Sequence, residues 1–344
     1  MKLPQLRLVV TDACDSKCVY CRPMGEGLDL KMNKNQLALE DAIRVTDEYV
    51  KAGGQEVKIT GGDPVFWKHL ARYVDLAKNT IGLPKLELIT RSKNIVNQID
   101  GLISLGLDTL NFSLDTLNSE TYSKVTGKDD FHDYIKAIQF CSPKIKTKIN
   151  TVVMKGINQN EISNIIDFCD ETDIKELKLL DIITDLHDVH KTNNDRLQEQ
   201  YSSSLRDLFL PLSEIEPICR ENSVSMPIEF QGGLGHPLKV FIGKKKLKTI
   251  LKDSDGGAWY HELCKDCERS PCHDALMAVR MLPSNHIQLC MLNEDKCIDM
   301  RGLSDEEYSR KFSSIMRFYD EAQFYKECVN EQEKNSLGLS QDRI

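Results

Sequence analysis

The sequence predicts an α/β protein in which six parallel strands alternate with helices over roughly the first 215 residues. Short apolar runs, typical of buried strands, alternate there with longer amphipathic segments, typical of surface helices. Glycine or proline follows three of the helical segments, as at helix ends: Gly53 with Gly54, Gly82 with Pro84, and Gly106. This alternation implies right-handed crossovers and a sheet that is either curled into a barrel or doubly wound.

The predicted strands are apolar runs and cover residues 6–10, 56–60, 85–90, 109–114, 146–153 and 174–183. The predicted helices are amphipathic and cover residues 36–51, 68–79, 94–105, 131–141, 159–169 and 197–209. Side chains of a strand alternate between its two faces, so each strand of a barrel presents half of its positions to the interior. We therefore expect polar groups at the strand ends to be candidates for a site.

The alternation stops after about residue 215, where prolines and glycines break up the chain. Five cysteines fall between residues 264 and 297. This predicts a partial barrel over 1–215, a smaller loop-rich domain over 216–327 that a metal helps to order, and a flexible tail over 328–344. The lysine-rich segment 239–252 is expected to be a solvated face.

The composition excludes several classes of protein. The 344 residues carry 45 basic and 53 acidic side chains, a net charge of −8, which argues against a non-specific nucleic-acid binder. The first residues lack the features of a secretory signal, and no apolar run reaches about 18 residues, so we expect a cytoplasmic protein with no membrane partner. In such a chain the 12 cysteines are expected to bind metal rather than form disulfides.

Three cysteines, Cys14, Cys18 and Cys21, follow the first predicted strand with the spacing C-x3-C-x2-C. In a parallel barrel the loops at the carboxyl ends of the strands carry the chemistry. Three thiolates on one loop can hold three irons of a cubane cluster and leave the fourth iron open to another molecule. Structural zinc is the alternative, but it takes four protein ligands, and no fourth cysteine or histidine is nearby.

A second set of cysteines, Cys264, Cys267, Cys272 and Cys290, has the spacing C-x2-C-x4-C-x17-C. Four thiolates can close a cubane cluster, and three can leave an iron open to substrate. A zinc ribbon is the alternative, because four thiolates suit either metal. Cys297 could substitute as a ligand, and the remaining cysteines are expected to be structural thiols: Cys141, Cys169, Cys219 and Cys328.

The first motif, with Tyr20 before its third cysteine, resembles that of the radical S-adenosylmethionine (radical SAM) enzymes. Gly61-Gly62-Asp63-Pro64 is similar to the GGEP segment of that family, which binds the amino group of SAM, with aspartate in place of glutamate. The resemblance implies a partial six-unit (β/α) barrel of the TIM type, a [4Fe–4S] cluster on the three cysteines of the loop, and an auxiliary iron–sulfur domain after it.

Four further segments, at residues 6–8, 107–115, 124–127 and 148–156, are similar to the GTP 3′,8-cyclases of molybdenum-cofactor biosynthesis. By that resemblance Arg7 and Lys148 face an anionic substrate. The same resemblance implies this set of SAM-binding residues: Tyr20, Gly61, Gly62, Asp63, Pro64, Thr90 and Ser113.

The chain also departs from the cyclases, which indicates a divergent paralogue. The cyclases have three cysteines in the second set, and this chain adds Cys272. Glu268-Arg269-Ser270-Pro271 follows Cys267 where the cyclases carry an arginine pair, and Glu56 stands where they usually carry a base. These differences favour a substrate other than GTP.

The resemblance implies reductive cleavage of SAM to a 5′-deoxyadenosyl radical, with an external electron donor such as flavodoxin or ferredoxin. The radical would abstract hydrogen from a small anionic or nucleotide-like substrate near a second [4Fe–4S] cluster, in a biosynthetic cyclisation or rearrangement. The alternatives are a GTP 3′,8-cyclase, a radical SAM peptide-modifying enzyme and a non-catalytic zinc-binding scaffold. The segment 185–190, with two histidines and two aspartates, is a further candidate for the barrel mouth.

Overall fold

A computed structural model describes residues 4–21, 36–184, 194–231, 237–254, 268, 278–292 and 297–321. Three of the predicted ligands of the second cysteine set, Cys264, Cys267 and Cys272, lie outside the described residues, as do the segment 185–190 and the tail from residue 322. Those predictions therefore stay predictions.

One mixed sheet forms the centre of the fold. Its strands are β1 Gln5–Val9, β2 Glu56–Thr60, β3 Lys85–Thr90, β4 Thr109–Ser113, β5 Lys146–Val152, β6 Glu176–Leu180, β7 Ile228–Gln231, β8 Pro237–Ile242, β9 Lys248–Lys252, β10 Ala278–Met281, β11 His286–Gln288 and β12 Cys297–Asp299. They are ordered β12-β11-β10-β1-β2-β3-β4-β5-β6-β9-β8-β7. The strands from β10 to β9 in this order are parallel, and antiparallel strands extend both ends. The described strands leave the sheet open, as in a partial barrel, and the predicted α/β fold is confirmed.

The helices are α1 Leu39–Lys51, α2 Leu70–Asp75, α3 Ile99–Ser104, α4 Ser119–Thr126, α5 Phe131–Cys141, α6 Ile162–Glu171, α7 Asn194–Tyr201, α8 Glu216–Glu221 and α9 Asp305–Glu321. A π-helical turn, Leu76–Thr80, continues α2, and a 3₁₀ segment, Lys93–Asn97, takes the first half of the helix predicted at 94–105. Within the described residues, none of these helices has the length and apolar character needed to cross a membrane.

Helix α4 was not predicted, although its ends carry standard signals. The side chain of Asn118 accepts a hydrogen bond from the Thr121 amide (2.9 Å) and so caps the first turn. Gly127 ends the helix with a φ of 73°, a conformation that glycine adopts without a steric penalty. Its short length and low content of apolar residues hid it from a search for amphipathic periodicity.

The apolar residues of the strands face the helices. Leu6 and Leu8 of β1 and Val57 of β2 are fully buried in one core with Val45 and Tyr49 of α1. Because strand side chains alternate, the intervening positions point to the opposite side of the sheet. We call that side the inner face and define it by its charged residues: Arg7, Glu56, Lys58, Lys85, Glu87, Lys148, Glu176, Lys178 and Arg280.

The expectation that residues 239–252 form a solvated face was wrong. This segment folds into β8 and β9, in which Val240 and Leu251 are buried. Its exposed lysines, residues 244–246, lie in the turn between the two strands. Strand β9 pairs with β6, and β10 pairs with β1. The sheet thus contains strands from both sides of the predicted boundary at residue 215, which remains a prediction.

Candidate active site

The three cysteines of the first motif lie on one loop, residues 11–21, directly after β1. Cys14 is exposed, Cys18 is buried and Cys21 is partly buried. The amide of Cys21 donates to the Cys18 carbonyl (2.9 Å), and the Ser16 amide donates to the Cys14 sulfur (3.4 Å). Each thiolate of a cubane cluster binds a different iron, so three thiols spread over one tight loop fit this cofactor. In the described part of the chain, no three cysteine, histidine, aspartate or glutamate side chains converge on a single ion.

Cys14 is exposed as a residue, but the surrounding loop desolvates its thiol and raises the pKa to about 11. A thiol with such a pKa stays protonated at neutral pH and is a weak ligand until a metal displaces its proton. Loading of the loop with iron is therefore expected to release protons.

The loop packs against the Gly61-Gly62 segment that follows β2. The amide of Gly62 donates to the Thr11 carbonyl (2.6 Å), and the amide of Asp63 donates to the Ala13 carbonyl (2.8 Å). A Cβ atom on Gly61 or Gly62 would lie 2.4 Å from the Thr11 or Ala13 carbonyl oxygen, respectively. Only glycine permits this approach, so the two segments form one backbone unit.

Asp63 is 1% exposed, and its carboxylate is hydrogen-bonded to neighbouring groups of the protein. It accepts hydrogen bonds from the Thr90 hydroxyl (2.7 Å), the Arg91 amide (2.8 Å) and the Val65 amide (3.1 Å). Burial raises its pKa, and these hydrogen bonds oppose the rise. The bond to Val65 caps the 3₁₀ turn Pro64–Phe66. The shorter aspartate thus links the GGDP segment to β3, and the contact of Asp63 and Thr90 with SAM stays a prediction.

Ser113 and Thr90 end neighbouring strands but lie on opposite sides of the sheet. Thr90 is on the helix side, where its hydroxyl donates to Asp63. Ser113 is on the inner face, paired in register with Asn150 of β5, and its carbonyl accepts from the Tyr134 hydroxyl (2.8 Å). Of the two hydroxyls assigned to SAM by resemblance, only that of Ser113 lies on the inner face.

Tyr20, next to the third cysteine, contacts a buried ion pair. The guanidinium Nη2 of Arg91 lies 2.6 Å from Asp115 Oδ2 and donates to the Tyr20 hydroxyl (2.7 Å), which in turn lies 2.6 Å from the same carboxylate oxygen. Burial raises the pKa of Tyr20 well above its ordinary value, so the phenol remains a proton donor. Sequence analysis did not single out Arg91, although its position directly after β3 is a signal for a site residue.

The other side of the loop packs against the carboxyl end of α4. The amides of Lys17 and Val19 donate to carbonyls in the last turn of α4 (2.8 and 2.9 Å). Lys128 forms an ion pair with Asp15 of the loop (2.6 Å). These contacts give the segment 124–127, which resembles the cyclases, a structural role in holding the cysteine loop.

A row of polar side chains crosses the inner face beneath this end of the sheet. Strand register places Gln288, Arg280, Arg7, Lys58 and Glu87 side by side on β11, β10, β1, β2 and β3. The predicted substrate residue Arg7 thus has a second arginine as its direct neighbour.

The predicted substrate residue Lys148 is 4% exposed and is already paired. Its Nζ lies 3.3 Å from Glu87 and 3.3 Å from Glu176. Glu87 also pairs with Lys58 (3.1 Å) and accepts from the Asn111 amide (3.0 Å). Burial alone would raise the pKa of Glu87, but Lys58 and Lys148 hold it well below its usual range. Lys148 is therefore neutralised by carboxylates of the protein itself.

The side chains of three further polar residues of the inner face make no hydrogen bond with any residue that the structure describes. Buried Arg280 leaves Nε and Nη1 without an acceptor, and buried Gln288 leaves both amide atoms unpaired. Burial and the charges of neighbouring lysines, chiefly Lys58, lower the pKa of Lys178 to about 7. Sequence analysis missed all three residues. The pattern that could have identified them is a polar residue at alternate positions of an otherwise apolar strand.

Of the second cysteine set, only Cys290 lies among the described residues. It is partly buried, packs with Ile183, Met291 and Leu292, and its sulfur accepts from the Leu292 amide (3.4 Å). Cys297 begins β12 opposite Gln288. The ligand set of a second cluster remains a prediction.

Comparison with known proteins agrees with this geometry. The model of the radical SAM superfamily matches residues 8–169, which include the cysteine loop and the GGDP segment. A GTP 3′,8-cyclase of Petrotoga mobilis is 35% identical over 311 residues, covering 88% of this chain and 87% of the relative. A GTP 3′,8-cyclase of Rhizobium etli is 27% identical over 306 residues, covering 86% of this chain and 77% of the relative.

Two solved structures share the fold. Native anSMEcpe with bound AdoMet has a TM-score of 0.53 at 12% identity and covers 94% of this chain and 82% of its own. Streptococcus suis SuiB bound to precursor peptide SuiA has a TM-score of 0.51 at 15% identity, and the match covers 85% of this chain and 60% of the SuiB chain. At these identities the likeness concerns the fold alone.

Proposed function

The chain belongs to the radical SAM superfamily and is an enzyme that uses a [4Fe–4S] cluster and S-adenosylmethionine, and we propose that it acts on a small anionic substrate at the inner face. When bound and reduced, the cluster supplies the electron that splits SAM into methionine and a 5′-deoxyadenosyl radical able to abstract hydrogen. One observation carries the proposal: the cysteine loop, the GGDP segment and the ends of β3 and β4 are hydrogen-bonded to one another.

In this proposal Cys14, Cys18 and Cys21 hold the cluster. The paired backbone hydrogen bonds of Gly62 and Asp63 keep the SAM-binding segment beside the loop. Such fixed placement matters because hydrogen abstraction requires the reacting atoms near contact distance. The predicted SAM-binding residues are those named above, with Ser113 on the inner face and Thr90 supporting Asp63.

Arg280 supports an anionic substrate. Its Nε and Nη1 are buried and have no acceptor among the described residues, which is destabilising, and an anion that accepts their hydrogen bonds would remove that penalty. Arg7 lies beside it in register, and the Gln288 amide offers both a donor and an acceptor. We assign these three residues to substrate binding.

We further propose that Cys264, Cys267, Cys272 and Cys290 hold a second [4Fe–4S] cluster in a domain spanning 216–327, with a flavodoxin or ferredoxin as the electron donor. The four-cysteine spacing supports the second cluster.

GTP cyclisation is the second candidate function. It is favoured by the 35% identity to the cyclase of Petrotoga mobilis over 88% of this chain. Glu56, at the position where the cyclases usually carry a base, forms ion pairs with Lys85 (3.4 Å) and Lys58 (3.8 Å). An acidic residue in this place counts against a nucleoside triphosphate.

Anaerobic reconstitution tests the proposal. The wild-type protein should bind about eight irons and release 5′-deoxyadenosine from SAM when reduced. Cys14→Ala should lose about four of these irons and SAM cleavage together, whereas Cys141→Ala, which removes a buried thiol of α5, should retain both. A Cys14→Ala protein that cleaves SAM at the wild-type rate would refute the mechanism. Incubation with GTP that yields 5′-deoxyadenosine and no cyclised product would exclude the second candidate.

A further inference from the structure

Apart from Arg7, the charged residues that define the inner face fall into a neutral group and an unpaired group. Ion pairs of 3.1 to 3.8 Å join three lysines to three glutamates. The members are Lys58, Lys85, Lys148, Glu56, Glu87 and Glu176. The group as a whole therefore presents no net charge to a ligand.

Glu87 is the centre of this group. It is 0% exposed, and its two carboxylate oxygens contact the ammonium groups of Lys58 on the neighbouring strand β2 and of Lys148 on β5, two strands away on the other side. Asn111 of β4 donates to the same carboxylate. One glutamate thus forms ion pairs with two cations of the inner face.

The unpaired group is small. Within the residues that the structure describes, Arg280 on β10 and Lys178 on β6 make no ion pair. Arg280 lies beside Arg7 of β1, and Lys178 lies on β6 two positions after Glu176 of the neutral group. The three lysines of the neutral group, on strands that lie between β10 and β6 in the sheet, are each already paired with a glutamate.

Resting on the proposed function, we propose that Glu87 restricts the inner face to a substrate with a single anionic group, such as one phosphate ester or one carboxylate. A polyphosphate carries several negative charges along a chain of neighbouring groups, and each needs cations or donors of its own. On the inner face, the phosphates beyond the first would meet lysines that are already paired and carboxylates that repel them. A single anionic group needs only Arg280, its neighbour Arg7 and the Gln288 amide.

Anion binding measured by calorimetry on the reconstituted protein tests this inference. The probes are acetate, orthophosphate and tripolyphosphate at one pH and one ionic strength. For the wild type, tripolyphosphate should bind no more than about threefold tighter than orthophosphate, because its extra charges find no free partner. Glu87→Gln removes one carboxylate partner from Lys58 and one from Lys148, leaving an excess of positive charge, and should raise this preference roughly tenfold.

Glu171→Gln is the matched control, because it removes the same charge from the exposed end of α6 and should leave the preference unchanged. A wild-type preference above roughly thirtyfold, or a folded Glu87→Gln protein with the wild-type preference, would overturn the inference. So would a wild type that binds neither acetate nor orthophosphate. If Glu87→Gln does not fold, Glu176→Gln releases one partner of Lys148 and should shift the preference in the same direction.

The same preparations separate this inference from the proposed function. A protein that discriminates against tripolyphosphate yet fails to cleave SAM would refute the enzymatic proposal and leave the anion preference standing. A protein that cleaves SAM and prefers tripolyphosphate would refute only the role of Glu87.

Discussion

Arg91 and Asp115 form a buried ion pair of 2.6 Å that joins the ends of β3 and β4. The same guanidinium nitrogen donates to the hydroxyl of Tyr20 on the cysteine loop. The second oxygen of Asp115 accepts from the Val152 amide at the end of β5 (2.9 Å). One pair of charges thus links the loop to three consecutive strands.

The first prediction concerns removal of the positive charge of Arg91. Arg91→Met leaves the Asp115 carboxylate, which is 1% exposed, without its counter-ion. We expect the free energy of unfolding of the apoprotein to fall by about 3–5 kcal/mol in urea titrations, because an unpaired buried charge is strongly destabilising. Lys93→Met, which breaks the exposed pair with Asp133 (2.8 Å), should change it by less than about 1 kcal/mol. Equal effects of the two substitutions would contradict the role given to Arg91.

The second prediction concerns the loop itself. Tyr20→Phe keeps the ion pair and removes only the hydroxyl that binds it. The free energy of unfolding should fall by about 1.5–3 kcal/mol, the usual effect of losing a hydrogen bond to a charged group. Hydrogen–deuterium exchange of the apoprotein should become faster at residues 14–21 and stay unchanged in α6. Unchanged exchange in the loop would show that Tyr20 does not hold it.

The third prediction concerns the glycine pair. In Gly62→Ala the new Cβ would lie 2.4 Å from the Ala13 carbonyl oxygen, so the cysteine loop must move away from β2. The reconstituted variant should therefore lose the iron bound by the loop, about four atoms per chain. Gly101→Ala is the control, since it lies in α3 with nothing within 4 Å of its Cβ, and helix propensity predicts a gain of about 0.5–1 kcal/mol. Wild-type iron content in Gly62→Ala would argue against the close packing.

The fourth prediction concerns pH. The pKa of Lys178 is about 7 in the folded protein, against 10.5 for an ordinary lysine. Between these values the unfolded chain binds a proton that the folded protein lacks, so this lysine makes the protein more stable as the pH rises. Lys178→Met removes the unfavourable charge, and its gain in melting temperature should be largest near pH 6 and shrink toward pH 10. Lys175 is exposed and directly precedes β6, so the melting temperature of Lys175→Met should show no such trend with pH. Parallel pH profiles of Lys178→Met and the wild type would contradict the depressed pKa.

Local periodicity predicted the first half of the fold well. Strands β2 and β3 have the predicted bounds, as does α5. Helix α4 escaped because its signals are a cap and a glycine rather than an apolar stripe. Segment 239–252 was misread because lysines at a strand turn look like a charged surface when pairing with β6, about 70 residues earlier, is unknown.

The sequence by itself determined the chemistry. The spacing of Cys14, Cys18 and Cys21 and the glycines after β2 are local patterns, and their meaning depends on residues within a few positions of one another. Strand alternation then predicted that these patterns meet at one end of a parallel sheet, since the carboxyl ends of parallel strands share one edge.

Only the tertiary structure decided which charges remain for a ligand. The contact of Lys148 with an anionic substrate stays a prediction, and the structure pairs this lysine with Glu87 and Glu176. Among the described residues, Nε and Nη1 of buried Arg280 are without an acceptor. Ion pairs act over a few ångströms and join residues that are far apart in the chain. Strand order and register bring Glu87 beside Lys58 and Lys148, and neither can be obtained from the periodicity of any one strand.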